Sequence, residues 1–463
     1  MPGPALAEVA ADAARRAPEP AALQRLVTAL TSASIEVSTV EAVRRAASTD
    51  FAHLSPILPG LLPARPADAV VLPRSIEELT TAVALAHGHG VPITPRGKGT
   101  GNYGQAVPLA GGIVVDLTRV DQVLNVGPGW VRAQAGSTFV ALEAAARRHG
   151  QELAMSPTTV GSTLGGFLAG GAGGVGSIEH GWLWDGFVLA LDVITCPPGA
   201  ELLTVAGDDC RPYLHAYGVT GIIAAATVQL RPARDWTAVL ASFPADAATP
   251  AADAGLAAMR LDPPPRSVSL DDPSLVALYP PDQAMPPSRF SLRCTVDTST
   301  VDRLHDIVTA HGGRVEAVRP SAPGYLATLA FNHVTLRARQ ANSQLCHLQV
   351  SGDALRHRRD DVLATLPGAM LHLDGLRTHA DPADAAAGRG YGGLLLSEFR
   401  DTATLYAGVA ALRQLGVYVV DPHTWLLDGP ALPAIRQTAR RNDPAGLLNP
   451  GKLPPPNGAS AGS

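Results

Sequence analysis

Lysine is nearly absent from this chain of 463 residues: of 36 basic residues only Lys98 and Lys452 are lysines, and the other 34 are arginines. No basic block accompanies the formal net charge of -5, which excludes nucleic acid as a partner, because phosphate neutralisation needs a concentrated positive face. Cysteine is scarce as well. Cys196, Cys210, Cys294 and Cys346 are scattered, with no CxxC pair or zinc-like spacing, and read as reduced, buried thiols of a cytoplasmic protein. No stretch reaches the roughly 18 uninterrupted apolar residues that span a bilayer. The first residues, MPGPALAEVAADAARR, lack the basic start and apolar core of a secretion signal. What remains is a globular composition, 46% hydrophobic and 17% charged, in a chain too long for one ordinary core.

Pattern divides the chain. Residues 1–65 read as an N-terminal helical arm, broken at PEP (18–20) and followed by the Pro-rich connector HLSPILPGLLPARP. Residues 66–234 alternate strands and helices. Ala69–Leu72, Val91–Thr94, Ile113–Leu117 and Trp130–Ala135 read as strands, and Phe139–His149 as a helix. Ser75 with Glu78 three residues on has the spacing of a capping box, and Phe187–Thr195 and Gly221–Leu230 read as buried strands. From 235 to 415 the pattern resets to strand–helix–strand units, which predicts an antiparallel sheet with helices on one face. Residues 416–453 return toward the first domain, and 454–463 (PPPNGASAGS) read as a disordered tail.

Two glycine-dense loops carry the chemistry. Arg96-Gly97-Lys98-Gly99-Thr100-Gly101-Asn102-Tyr103-Gly104 follows a predicted strand; glycines at this density let successive N–H groups point to one side and form an anion nest. A diphosphate suits it. Gly99, Gly101 and Gly104 match GxGxxG, but a Rossmann loop must open a helix, and QAVPLAGG cannot. Neither lysine precedes Ser or Thr, so a Walker A loop fails too. The second loop, SPTTVGSTLGGFLAGGAGGVGS (156–177), would let a planar ligand lie directly on backbone.

On these residues the sequence resembles the vanillyl-alcohol oxidase and p-cresol methylhydroxylase superfamily, with its PCMH-type FAD domain, including glycolate oxidase FAD subunits and D-lactate dehydrogenases. The matching pieces are PADAVVLP (66–73), RGKGTG (96–101), GGIVVDL (111–117), SPTTVGSTLGG (156–166), GGAGG (170–174), Asp185, YGVTGII (217–223) and DPAGLLNPGKL (443–453). The resemblance implies an α+β fold: a two-subdomain FAD-binding domain and an antiparallel-sheet cap (substrate) domain with flanking helices. It implies that Arg96, Gly97, Lys98, Gly99, Thr100, Gly101 and Asn102 hold the FAD diphosphate. Ser156, Pro157, Thr158, Thr159, Gly161, Ser162, Gly165 and Gly166 would lie along the ribityl and isoalloxazine. Gly221, Ile222 and Ile223 would contact the cofactor through backbone, with Asn449 and Lys452 arriving from the chain end. Thr100 stands where covalently attaching relatives often carry His, so non-covalent FAD is expected.

Flavin oxidation of an alcohol or hydroxy acid sends a hydride to flavin N5 and needs a base for the heteroatom proton, which favours histidine. His423, in Asp421-Pro422-His423, and His333, beside Asn332 in a strand-like run, are the candidates. Arg337 and Arg377 could clamp a carboxylate, and Tyr103 and Tyr391 could gate the pocket or donate a phenolic proton. No HxGDGNxH-like run is present, so no metal is expected. The electron acceptor (O₂, quinone or protein) stays open, and a homodimer is possible. The competing readings are an NAD(P)H-dependent reductase and a non-catalytic flavin-binding subunit, the latter supported by YGVTG (217–221), which lacks the acid that many relatives carry.

Overall fold

The computed structural model describes residues 3–63, 65–321, 324–377 and 388–455, so most of the expected tail lies outside the described residues. Three sheets order them. The first has strands β1 (Val37–Ser38), β2 (Ala69–Val71), β3 (Ile93–Arg96) and β4 (Ile113–Asp116) in the order β1-β2-β4-β3; β4 runs parallel to both β2 and β3. The helix Ile76–Gly88 covers it, burying Leu79, Ala82, Val83 and Ala86. Its N-cap forms as the sequence predicts: the Ser75 hydroxyl accepts from the Glu78 N–H at 3.1 Å. The Glu78 carboxylate, however, reaches back to the N–H of Arg74 rather than that of Ser75.

The second sheet contains β5 (Val123–Gly127), β6 (Trp130–Gln134), β7 (Gln151–Leu153), β8 (Val188–Thr195), β9 (Glu201–Ala206) and β10 (Ile222–Pro232). Its order is β5-β6-β10-β8-β9, with β7 also on β10. The chain between β3 and β4 forms no helix, consistent with rejecting the Rossmann reading. Gly112 closes that loop at φ +70°, and a Cβ there would sit 2.2 Å from the Pro92 carbonyl, so only glycine fits.

The third sheet is antiparallel and eight-stranded: β11 (Trp236–Phe243), β12 (Ser267–Asp271), β13 (Phe290–Asp297), β14 (Arg314–Pro320), β15 (Leu345–Ser351), β16 (Met370–Arg377), β17 (Arg389–Glu398) and β18 (Tyr418–Val420), ordered β14-β11-β13-β12-β16-β17-β15-β18. Side chains of a strand alternate between faces, and here the alternation is chemical. Val268 and Leu270, Leu292 and Cys294, Cys346 and Leu348, and Leu371 and Leu373 pack into one core with the helices Ala248–Met259, Val301–Ala310 and Thr402–Gln414. The intervening Ser269, Asp271, Ser291, Arg293, His347, Gln349, His372 and Asp374 lie on the opposite face. These residues form a polar stretch of that face, beside an apolar cluster of Ala238, Leu240, Leu345, Met370, Leu394 and Leu396.

One sequence expectation fails here. Phe331–Leu336 reads as strand from its β-branched and aromatic residues, but His333–Ala341 is a helix. Val334 and Ala338, four residues apart, are both fully buried with Thr335 beside them, and that spacing suits one helical face.

Where the second and third sheets meet, Glu152 of β7 is completely buried. Its carboxylate accepts from Trp236 Nε1 at 2.9 Å and Arg231 Nε at 3.0 Å, and pairs with Arg147 and, at 3.1 Å, with Arg266. Among the described residues, no helix is long and apolar enough to cross a membrane.

Candidate functional site

A cavity of about 1140 Å³ runs from the glycine loops to the polar face of the third sheet. The first loop contributes Arg96–Tyr103, the second contributes Pro157, Thr158, Thr159, Ser162, Gly165 and Gly166, and the start of β10 contributes Gly221, Ile222 and Ile223. Asn332, Gln349, Asp374 and Tyr391 close it from the cap side.

The lining of the first loop fits a diphosphate. Among the described residues, none of the backbone N–H groups from Gly97 through Asn102 donates to a protein acceptor. Six consecutive unpaired donors beside a cavity form the nest that an anion fills. The buried hydroxyl of Ser162 likewise lacks a partner and lines the same space. The two loops touch closely: a Cβ on Gly97 would lie 2.0 Å from Thr163 Oγ1.

The other expected ligand contacts are placed differently, some in the lining and some behind it. Arg96 lines the cavity with its guanidinium against Gly99 and donates to the carbonyls of Thr49 and Ala46. Lys98 lines the cavity but is exposed. Ser156 pairs its backbone with Val175, and Gly161 is exposed; neither lines the cavity. Asn449 and Lys452 also lie behind it. Asn449 donates to the carbonyls of Gln105 and Tyr217 at 2.9 and 2.7 Å, and the Lys452 ammonium donates to those of Gly104 and Val107 at 2.6 and 2.9 Å. Both residues thus clamp the end of the first loop from its back. Burial pushes the Lys452 amine down to about 7, with the Asp50 carboxylate pulling the other way.

The histidines divide. His423 is fully buried and outside the cavity lining. Its Nδ1 lies 2.8 Å from Ser55 Oγ, which already accepts the N–H groups of Ile57 and Leu58 at 3.1 Å each. A hydroxyl has two lone pairs, so the Ser55 proton must go to Nδ1, leaving the proton of neutral His423 on Nε2. An imidazole in that tautomer offers a donor there, not a base. His333, at the start of its helix, meets the cavity through Thr158, with Nδ1 at 2.7 Å from the hydroxyl. Burial, with Arg337 adding to it, lowers its pKa and keeps it neutral.

Three substrate candidates are engaged elsewhere. Arg337 bonds Thr328 and Arg377 bonds the Glu179 carbonyl, both outside the lining. Tyr391 is among the lining residues, but its hydroxyl is committed to the Ala252 carbonyl at 2.8 Å, so no phenolic proton is on offer. Tyr103 is different: its oxygen meets Asn332 Nδ2 at 2.8 Å and Gln349 Nε2 at 2.6 Å.

Gln349 and the acidic network around Asp374 were not found from sequence. Asp374 holds His372 Nε2 at 2.8 Å, and the other ring nitrogen meets Asp271, which pairs with Arg293 and accepts from Tyr279 at 3.0 Å. Burial alone would lower His372, but the carboxylates of Asp374 and Asp271 outweigh it and raise the imidazole to about 9. A group raised in the fold adds stability that is fully present below its unfolded value of 6.5 and is lost as pH climbs through about 9. The urea midpoint is therefore expected to fall over that window, and His372→Gln is expected to flatten the fall. A wild-type midpoint that stays level across it contradicts the assignment.

Comparison with known proteins agrees with the geometry. Residues 67–204 match the family described as FAD binding domain. The chain is similar to glycolate oxidase subunit GlcD of Escherichia coli (strain K12), 32% identical over 171 residues, 35% of this chain and 34% of that one. It is similar to D-lactate dehydrogenase of Archaeoglobus fulgidus, 30% identical over 186 residues, 38% of this chain and 41% of that one. An uncharacterized FAD-linked oxidoreductase of Mycobacterium tuberculosis is 25% identical over 429 residues, 84% of this chain and 91% of that one. The match thus spans only about a third of the glycolate oxidase subunit's length. In fold the chain resembles a solved alkyldihydroxyacetonephosphate synthase, with TM-score 0.71 at 19% identity, covering 94% of this chain and 87% of that one. Residues 67–204 are therefore an FAD-binding domain, and the chain has an α+β architecture with an antiparallel cap sheet, as the resemblance implied.

Proposed function

We propose that this chain, with its FAD-binding domain, is an FAD-dependent oxidoreductase that takes a hydride from a small alcohol or hydroxy-acid-like substrate held against the polar face of the cap sheet. The observation that carries the reading is the run of six unpaired backbone donors, Gly97 to Asn102, opening into a cavity that continues to that face. Bound FAD supplies the hydride acceptor. The residues of the chain do the rest: the first loop receives the diphosphate, and Thr158, Thr159, Gly165, Gly166 and the start of β10 bed the flavin. Arg260, Arg356 (paired with Asp253) and Arg389 line the cap side with the carboxylates of Asp353 and Asp374. This small excess of positive charge in the lining favours an anion, in keeping with the hydroxy acids named in two of the relatives.

Of the two histidine candidates, His333 takes the role of base, reached through the Thr158 hydroxyl. A neutral imidazole can accept the heteroatom proton, and removing such a base costs about 100- to 10,000-fold. The test is anaerobic flavin bleaching by a panel of alcohols and hydroxy acids. At least one is expected to bleach the wild type, and His333→Gln is expected to slow that step by about 100-fold or more while keeping the flavin bound. A panel that bleaches nothing contradicts the oxidoreductase reading, and an unchanged His333→Gln rate contradicts the base.

A further inference from the structure

We infer that the cap end of the cavity reads a ligand carrying a hydrogen-bond acceptor and a hydrogen-bond donor, the first recognised by Tyr103 and the second by Asp374. This rests on the cavity being the flavin and substrate site.

The argument for Tyr103 is one of counting protons. Its oxygen touches Asn332 Nδ2 and Gln349 Nε2, and Gln349 Nε2 also touches Asn332 Oδ1 at 3.5 Å. Turning over one amide alone would set nitrogen against nitrogen or oxygen against oxygen between the two side chains. Turning over both would set two carbonyl oxygens against the single phenolic proton. The remaining arrangement makes both amides donors to the phenol, filling its two lone pairs, so its own proton must be given away. Among the described residues no acceptor takes it, and Tyr103 lines the cavity. Burial raises the phenol well above its usual range, with the two amides pulling back only in part, so the proton is present at neutral pH.

Asp374 is the converse. Its Oδ2 accepts from His372 Nε2 at 2.8 Å and from the Phe331 N–H at 2.9 Å, and its Oδ1 accepts from Ser269 at 2.7 Å. An ionised carboxylate offers about four acceptor positions. The one left is on Oδ1, in a side chain that lines the cavity. Phe331 and Asn332 join the two halves: the N–H of Phe331 holds Asp374 and the side chain of Asn332 holds Tyr103. Phe331 does so at φ +50°, a left-handed conformation costly for an aromatic residue. Asn332 and Gln349 are thus positioning residues, and Tyr103 and Asp374 are the recognition pair.

The probes are α-hydroxyisobutyrate, which has an acceptor and a donor but no α-hydrogen to lose to a flavin, and its methyl ether, α-methoxyisobutyrate, which lacks the donor. Each is titrated calorimetrically into the full-length protein, with flavin content measured separately. Wild type is expected to prefer the hydroxy probe by about tenfold or more. Tyr103→Phe is expected to weaken both probes by a similar factor, about tenfold, and to leave the preference intact. Asp374→Asn must keep its amide oxygen toward His372 and Phe331, which turns the free position into a donor, so the preference disappears or reverses. Wild-type protein that binds neither probe, or both alike, overturns the inference, as do variants that keep the wild-type affinities. Loss of flavin from wild type counts instead against the cofactor reading, and Tyr103→Phe, which removes one oxygen beside the cavity, keeps the test open should Asp374→Asn fail to fold.

Discussion

Gly97→Ala is expected to give a folded protein that has lost its flavin. The new methyl would lie 2.0 Å from Thr163 Oγ1. Thr163 cannot swing aside, because it is 1% exposed and its hydroxyl caps the helix Leu164–Gly170, accepting the Gly166 N–H at 3.2 Å. The two glycine loops must therefore part, and both line the cavity. Overpacking of this kind costs about 1–3 kcal/mol, which, taken from binding, is roughly 5- to 150-fold in FAD affinity. The measurement is FAD uptake by apoprotein, alongside circular dichroism to show the fold intact. Adding Thr163→Ala should restore most of the uptake while lowering stability by about 1 kcal/mol for the lost cap. Wild-type uptake by Gly97→Ala alone, or no recovery in the double variant, contradicts loop contact as the cause.

Glu152→Ala is expected to produce the largest loss of stability. One fully buried carboxylate serves Trp236 and three arginines, and removing it leaves Arg231, itself only 8% exposed, with Glu179 and His180 as partners. Breaking a buried pair from one side costs about 3–5 kcal/mol, because the remaining charge stays desolvated. Glu152 belongs to β7 and Trp236 opens β11, so the loss falls where the second and third sheets join. Urea unfolding read by tryptophan fluorescence checks it. A change below about 1 kcal/mol, the range of an exposed pair, would show that this cluster does not hold the junction.

Much of the flavin-binding half was legible in the sequence because its signals are local. A loop with Gly97, Gly99 and Gly101 after a strand announces unpaired N–H groups, and Pro108 with Gly111 and Gly112 forbids the helix of a Rossmann loop. The roles of Lys452 and Asn449 were less visible. Their motif showed that they return to the first domain, but only the fold shows that their donors meet the back of the loop, at the carbonyls of Gly104, Gln105 and Val107. The cap was harder. Its polar residues sit at every second position of strands from distant parts of the chain, so Asp271, Arg293, His372 and Asp374 become one network only through sheet register. His423 drew notice as an imidazole beside a buried strand, yet its tautomer is fixed by Ser55, 368 positions away. Spacing within a sequence does not carry such information.

The most direct test of the account is the flavin content of the purified, full-length protein before and after acid precipitation. The expected result is a yellow protein with about one FAD per chain, released entirely to the supernatant, because the nest would hold the diphosphate by hydrogen bonds. Thr100 stands where attaching relatives often carry His, and among the described residues no cysteine lines the cavity, while His215, which does, has its Nδ1 on the Gly171 carbonyl. A colourless protein that takes up no added FAD, or colour that stays with the pellet, would contradict it.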